Sequence, residues 1–437
     1  MSRGTNRRDF LKAGAAGAGL LVLRSGMLLG ADAPSNKLNI AGIGVGGRGW
    51  DDINACSSEN IVALCDVNEN NLKKAAQQFP EAKTYADWRK CLEQKDIDAV
   101  VCATTDHTHA FITTWALNRG KHVYCEKPLA ITVHEARMVR KKYLEKKDKV
   151  ATQMGTQIHA SDNYRRMVEL IRGGAIGTPE EVRVWCSRAP EGGDYLPATD
   201  PPPHLNWDLW IGPSPMHPYN ADYLKGGCLG WNRFWDFGSG QIGDMGSHMM
   251  DMAYWALDLR DPTTCKAEGT PVSTDTCPEW LTAEWDHPAN GWRPAVKVYW
   301  YDGGKKPGVP SKVFNRDELF KGVLFKGDKG YLLCDYDYRI LMPTGDLTSF
   351  RPATKDTLIP PSKGHHAEWI EAAKTDRKTL CNFDYSGALV EHNLLALVAC
   401  RVGKPLQWNP ANLKAPNCPE ADAYIRKQYR EGWVLDG

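Results

Sequence analysis

Between residues 38 and 153 the chain alternates short, almost uninterrupted apolar runs with longer amphipathic stretches. The runs are Leu38 to Ile43, Ile61 to Cys65, Ala99 to Ala103 and His122 to Cys125. Continuous rather than alternating hydrophobicity marks strands buried on both faces, as in a parallel sheet. The intervening stretches carry helical spacing. It is clearest in "ITVHEARMVRKKYLEKKDKV", where Val133, Ala136, Val139 and Tyr143 fall three or four positions apart. Strand and helix follow each other at the pace of βαβ units. The pattern predicts a parallel α/β domain over 36–153 and leaves 154–437 for a second domain.

The first turn of this domain carries chemistry. "NIAGIGVGGRG" places Gly42, Gly44 and Gly47 in G-x-G-x-x-G spacing between a strand and a helix. Asp66 closes the next strand, 19 positions after Gly47. Strand, turn, helix and delayed acid together are what a dinucleotide-binding Rossmann turn requires. The glycines let backbone approach a pyrophosphate, and the helix start offers it unpaired N–H groups. Asp66 would accept the hydroxyls of an adenosine ribose and repel a 2′-phosphate, which favours NAD over NADP. Arg48 argues the other way, because a guanidinium there can meet a phosphate.

Composition narrows the setting. At 437 residues the chain has room for two domains with cores. The net charge is only +1, and residues 1–33 hold five Lys/Arg against two Asp, so the remainder is slightly acidic. That gives no electrostatic reason to expect a nucleic acid or an anionic membrane as partner. Residues 1–33 read as a secretory leader. Arg7 and Arg8 precede Phe10, Leu11 and Lys12, a Gly/Ala-rich apolar stretch follows, and Ala31-Asp32-Ala33 closes it. The other reading is a basic, disordered N-terminus. The stretch is too weakly hydrophobic, and too interrupted by Arg24, to span a bilayer. No Cys follows it to carry a lipid anchor. The paired arginines resemble the twin-arginine class, which implies carriage of the folded protein by that export machinery to the periplasm. The thirteen Cys show neither CxxC pairs nor zinc spacing, so no metal is expected. Most sit in apolar runs as small hydrophobes. Cys265 and Cys277 are the readiest pair for a disulfide in an oxidising compartment.

Two further motifs complete a recognisable set. Glu126-Lys127-Pro128 closes the fourth strand, and "GSGQIGDMGSHMMD" occupies 238–251. With the glycine turn and Asp66 they resemble the Gfo/Idh/MocA family of sugar and polyol oxidoreductases. "WDLWIGP" at 207–213 and the tail from "HAEWIEAAK" look familial too. The resemblance implies a Rossmann domain followed by an α/β domain with a large, open, mostly antiparallel sheet, its C-terminal helices packing back on the first domain. A tightly bound NAD would lie between the two, held by Gly42, Gly44, Gly47, Arg48, Asp66, Thr104, His109, Glu126 and Lys127. The resemblance also implies a cis Lys127-Pro128 bond. It places Gln157 and His159 with Asp244 and His248 among the substrate contacts, and it pairs the open sheet with another copy in a homo-oligomer. One loop departs from the family, where Thr-Pro-Asn commonly precedes a His. Here the chain reads Thr104-Thr105-Asp106-His107-Thr108-His109. That changes the loop under the nicotinamide and leaves open whether His107 or His109 lines it.

Oxidising a secondary alcohol needs a group to take the hydroxyl proton and one to steady the developing oxyanion. Lys127 ends a strand at the carboxyl edge of a parallel sheet, where such sheets bind ligands, and can donate to the alcohol oxygen. Asp244 and His248 are four apart and would share one helical face. His248 suits the proton acceptor. Asp244 would orient it or hold a neighbouring hydroxyl, with Asp251 behind His248. Trp207, Trp210, Trp231, Trp235 and Trp255 crowd the same segment. Most read as core packing, though aromatic faces also suit sugars. The Pro/Gly-rich stretch 191–208 reads as an ordered loop over the site or at a subunit contact.

These features predict an exported NAD-dependent oxidoreductase acting on a sugar, polyol or glycoside. Away from a free NAD pool the cofactor would be captive and returned to its starting state each cycle, which makes the chemistry redox-closed. Two alternatives stand beside this reading. One is an NAD-dependent glycoside hydrolase using transient oxidation and elimination. The other is a non-catalytic sugar-binding protein that retains NAD.

Overall fold

The computed structural model describes residues 36–310 and 319–436. The predicted leader, residues 1–33, lies outside the described residues.

The first sheet has six strands: β1 (Asn39–Ile43), β2 (Asn60–Cys65), β3 (Lys83–Tyr85), β4 (Ala99–Cys102), β5 (His122–Cys125) and β6 (Thr152–Met154). All pair in parallel, in the order β3-β2-β1-β4-β5-β6. This is the doubly wound order, with its switch point beside β1. Its crossovers include α1 (Arg48–Ala55), α2 (Glu69–Gln78), α3 (Asp106–Asn118) and α4 (Val133–Lys146). Local chemistry starts the helices: Asn68 caps α2 by accepting from the Asn70 amide, and Thr132 with Glu135 forms a capping box on α4. After Asp87 the chain makes only a single short helical turn, Trp88–Cys91.

The second sheet has eight strands: β7 (Pro179–Cys186), β8 (Thr264–Gly269), β9 (Leu281–His287), β10 (Val296–Asp302), β11 (Lys321–Gly327), β12 (Gly330–Cys334), β13 (Arg339–Pro343) and β14 (Leu406–Gln407). Their order is β13-β12-β11-β7-β10-β9-β8-β14. Only β7 and β10 pair in parallel, so the sheet is mostly antiparallel. Along β9 buried and partly exposed residues alternate strictly, as in a sheet with one packed and one open face. The packed face meets α6 (Gly246–Ala256) and α8 (Phe383–Val402); α5 (Asp162–Arg172) packs on α6, and α7 (His365–Lys374) lies against β5 and β6 of the first sheet.

The two domains share their core. One buried cluster contains Val100 and Val123 from the first sheet with Trp285 and Trp300 from the second. The C-terminal helices pack back on the first domain. Trp369 of α7 is fully buried against Ile40, Val101 and Tyr124. Helix α8 is buried along almost its whole length, and it is tied to α4 by Arg137–Glu391 at 2.6 Å and Arg140–Asp384 at 2.8 Å. A helix apolar on every face is stable only when enclosed in this way. Among the described residues no helix is long and apolar enough to cross a membrane.

All thirteen cysteines are free thiols, which corrects the expected Cys265–Cys277 disulfide. Both are buried, but Cys265 faces Cys400 under β8 while Cys277 packs against Gly240.

Candidate active site

The carboxyl ends of β2, β1, β4 and β5 open onto a cavity of about 450 Å³, within the usual range for small-molecule sites. Its far wall comes from the second domain and includes Leu205, Trp210, Cys228 and Trp231. Along the sheet edge the lining passes from Asp66 after β2, through Gly44, Gly46, Gly47 and Arg48 after β1, to Thr104–Asp106 after β4. It ends at Glu126 and Lys127 after β5.

The turn fits a pyrophosphate. Gly44 has φ +78°, and a Cβ there would lie 2.5 Å from the Ala103 carbonyl oxygen. Gly47 has φ +50°, and its Cβ would meet no protein atom within 4 Å, so it would stand in the cavity. Gly42 lies within β1, close against Ile53. The glycine that lets α1 approach the turn lies outside the Gly42, Gly44, Gly47 motif. A Cβ on Gly49 would sit 1.9 Å from the Gly44 oxygen. The signal was present as a second, overlapping G-x-G-x-x-G formed by Gly44, Gly46 and Gly49. Helix α1 starts without a side-chain cap, and its Gly49 and Trp50 amides bond back to the Gly46 and Gly47 oxygens at 3.0 and 3.1 Å, so an anion would meet the positive end of the helix dipole and the turn before it.

Asp66 is held at the cavity wall by the amides of Val45 (3.0 Å) and Asn68 (2.8 Å). Burial keeps its carboxyl above the ordinary range, and those amides partly offset this. Arg48 turns the other way, toward β5. Its guanidinium reaches Asp52 at 2.9 Å and Glu126 at 3.4 Å. It is thus already engaged by two carboxylates away from Asp66. Glu126 is pushed up to about 8 by burial and by Asp52. Gln157 donates to it at 2.5 Å, so Gln157 stands against the cofactor side of the cavity.

Lys127, in a cis bond to Pro128, forms an ion pair with Asp244. Arg188, at the end of β7, closes on the other Asp244 oxygen at 2.9 Å. Nothing in the sequence pattern singled out Arg188, because only the pairing of β7 in the sheet brings it there. Burial opposes the Lys127 charge, but Asp244 and its neighbours together outweigh it and hold the ammonium well above its usual range. Burial likewise opposes the Asp244 charge, and Lys127 leads the groups that lower it. Burial, aided by Lys127, depresses His248 to about 3. The group is therefore a fixed cation, a fixed anion and a neutral imidazole whose Nδ1 is buried without a partner among the described residues. Asp244 ends the short helix Gly240–Asp244 and His248 lies in the first turn of α6, with Met245 joining the two helices. They do not share one unbroken helix as expected, but both face Lys127.

Other expected residues fall elsewhere. Asp251 does not back His248; it binds His159 at 2.9 Å and accepts from the Tyr385 hydroxyl at 2.5 Å. His159 itself is 1% exposed and stacked on Trp255 at 3.9 Å, so it stands in the core of the second domain, away from the cavity lining. Of the two loop histidines, His109 lines the cavity, its ring nitrogens 2.7 Å from the Pro128 oxygen and 3.1 Å from the Thr104 oxygen. His107 is turned to the Trp210 carbonyl at 2.9 Å. Trp207 and Trp210 stack at 4.5 Å within a separate aromatic core containing Tyr223, Phe234 and Phe237. The end of the 191–208 loop lies over the Asp66 side, where the His204 oxygen accepts from the Glu69 amide and the Asn206 amide donates to the Val67 oxygen. Cys102, Cys125 and His109 bring ligand atoms within 4.8 Å of one another, a grouping no CxxC spacing announced. Both His109 nitrogens already face carbonyl oxygens, and the trio packs beneath the cavity.

Fold and cavity define a two-domain α/β protein whose dinucleotide-binding edge faces a mixed sheet. Two family models match the chain. One, described as the oxidoreductase family's NAD-binding Rossmann fold, covers residues 38–155; the other, its C-terminal alpha/beta domain, covers 167–291. The chain belongs to the Gfo/Idh/MocA oxidoreductase family. Among curated relatives, the inositol 2-dehydrogenase of Salmonella paratyphi B is 31% identical over 142 residues, covering 31% of this chain and 42% of that protein. The levoglucosan dehydrogenase of Pseudarthrobacter phenanthrenivorans is 30% identical over 200 residues, 44% of this chain and 42% of that protein. The chain thus matches less than half the length of these relatives. Among solved structures, the WlbA dehydrogenase from Bordetella pertussis, in complex with NADH and UDP-GlcNAcA, has a TM-score of 0.60 at 16% identity. It covers 85% of this chain and 99% of that one, a likeness of fold.

Proposed function

We propose that this chain is a dehydrogenase that oxidises or reduces a secondary alcohol of a sugar or polyol using NAD. The observation that carries the reading is the Lys127–Asp244–Arg188 ion group, with neutral His248 beside it, at the nicotinamide end of a dinucleotide-type sheet edge. Bound NAD supplies the hydride acceptor or donor. Lys127 donates to the substrate oxygen and steadies its negative charge. Asp244 keeps Lys127 charged and in place, and Arg188 fixes Asp244. His248, held neutral, is the group that takes the hydroxyl proton. Asp66, with Arg48 spent on Asp52 and Glu126, supports NAD over NADP.

The finer reading is an exported enzyme, carried by the twin-arginine route, that holds NAD captive and returns it unchanged each cycle. Assembly into a homo-oligomer through the open face of the second sheet belongs to the same proposal. To test it, the exported form is purified without added cofactor and denatured, and any nucleotide released is identified. Parent and Lys127→Ala enzymes are then assayed on myo-inositol, levoglucosan and sugar pairs. Near-stoichiometric NAD(H), and turnover that Lys127→Ala abolishes, are expected. An empty protein with weak NAD binding would sink the captive-cofactor reading. Stoichiometric NADH release would sink redox closure, and full activity in Lys127→Ala would sink the assigned chemistry.

A further inference from the structure

One buried carboxyl in the cavity wall has no part in this mechanism. Asp106 opens α3 directly after β4 and is 5% exposed. Its Oδ1 accepts from the Trp231 indole N–H at 3.2 Å. Lys127, from the end of β5, and Asp244 act on it electrostatically, and Cys228 faces it from the short helix Cys228–Trp231. The histidines of its own helix are engaged elsewhere, His107 with Trp210 and His109 with Pro128 and Thr104. Glu126, the other carboxyl on this side, is taken up by Gln157 and Arg48.

The order of strands says which part of a dinucleotide Asp106 meets. Asp66 after β2 marks the adenosine ribose, and the glycine turn after β1 marks the pyrophosphate. The next strands along the edge are β4 and β5, so the remaining half of the molecule falls over Thr104–Asp106 and Glu126-Lys127. That half is the nicotinamide, which carries a positive charge when oxidised and none when reduced. A carboxylate in a water-poor wall interacts with that charge far more strongly than it would in water.

We propose that Asp106 sets the preference of this protein between NAD+ and NADH, favouring the oxidised form when its carboxylate is ionised. The inference rests on the dinucleotide reading above. Two features poise the group near neutrality. Burial pushes its carboxyl up to about 7, against the pull of Lys127 and Trp231, while the start of α3 favours an anion. Bound NAD+ draws the proton off Asp106, and bound NADH leaves it on. By linkage, the preference for NAD+ rises with pH as Asp106 ionises.

The test is competition between NAD+ and NADH for the full-length protein at pH 6, 7 and 8, followed by NADH fluorescence. In the parent the ratio Kd(NADH)/Kd(NAD+) rises about five- to tenfold from pH 6 to 8, as expected for a coupling of up to one pKa unit. In Asp106→Asn the ratio stays flat. In Trp231→Phe, which removes the indole donor to the carboxylate, the rise moves to higher pH, a readout that mere loss of packing would not produce. A flat ratio in the parent, or an unchanged rise in Asp106→Asn, would overturn the proposal while leaving the dinucleotide reading intact. Binding of neither nucleotide would overturn both.

Discussion

Removing either member of the Lys127–Asp244 pair should destabilise the protein unequally. Asp244 is 4% exposed and touches two cations, Lys127 and Arg188, the latter at 2.9 Å. Lys127→Met leaves Asp244 with Arg188 as counter-ion. Arg188 is about a third exposed and partly screened, so the expected cost is about 1–3 kcal/mol. Asp244→Asn instead leaves two cations side by side without the carboxylate that joins them. That is the uncompensated buried charge for which losses of about 3–5 kcal/mol are typical. Asp244→Asn should therefore cost about 2 kcal/mol more than Lys127→Met, and the double variant less than the sum. Urea unfolding at pH 7.5, monitored by circular dichroism, measures both. Turnover should fall in both by about 10²–10⁴-fold, the usual range for a lost proton-handling group. If Lys127→Met were as destabilising as Asp244→Asn, Arg188 would not be carrying the Asp244 charge, and the electrostatic account of the site would be wrong.

Two further expectations concern the turn and the pH response. Gly49→Ala meets the Gly44 carbonyl at 1.9 Å and should lose about 1–3 kcal/mol of stability together with dinucleotide binding. Gly47→Ala meets no protein atom and pays only the cost of a sparsely populated positive-φ backbone, about 1–3 kcal/mol, yet should still lose binding because its Cβ enters the cavity. Calorimetry with and without NAD separates the two, and tight binding by Gly47→Ala would contradict the placement of the pyrophosphate. Thermal stability should fall between pH 6.5 and 8.5. Burial holds Asp106 and Asp302 up to about 7 and Glu126 up to about 8. The folded state thus keeps protons there that the unfolded chain has already lost, and stability declines as pH rises toward those values. The buried histidines His107, His248 and His365, depressed to about 3, contribute fully above pH 6.5 and act only at lower pH. Cys102 opposes the decline. Its burial is outweighed by Cys125, His109 and Thr104, which draw its thiol down to about 7, so it offsets roughly one of the three carboxyls. A melting temperature still climbing to pH 8.5 would refute this balance.

Much of the cofactor half was written locally along the chain. Continuous apolar runs predicted the parallel strands because burial on both faces leaves no reason for alternation. A tight turn before a helix can be recognised from glycine spacing alone, and Asp66 from its distance to that turn. Lys127, Asp244 and His248 were legible because their motifs lie on short continuous segments. What the sequence could not show depended on which segments meet. Gly49 was passed over because its need for a hydrogen in place of Cβ comes from the Gly44 carbonyl, a contact across the turn. His159 is expected at the substrate and Asp251 behind His248, yet they bind each other in the core, because α6 buries the face that carries Asp251. Arg188 reaches Asp244 only because β7 lies at the centre of the second sheet with its end beside the Rossmann edge. The protonation states were decided by enclosure. Lys127 stays a cation, His248 stays neutral and Asp106 is poised near neutrality because of what surrounds them after folding. Sequence patterns determined the elements and the identities of the reactive groups, since both follow from local covalent chemistry and periodicity. Tertiary structure alone decided their pairings, their burial and therefore their charge, because desolvation and Coulomb attraction depend on distances in space, which positions along the chain do not supply.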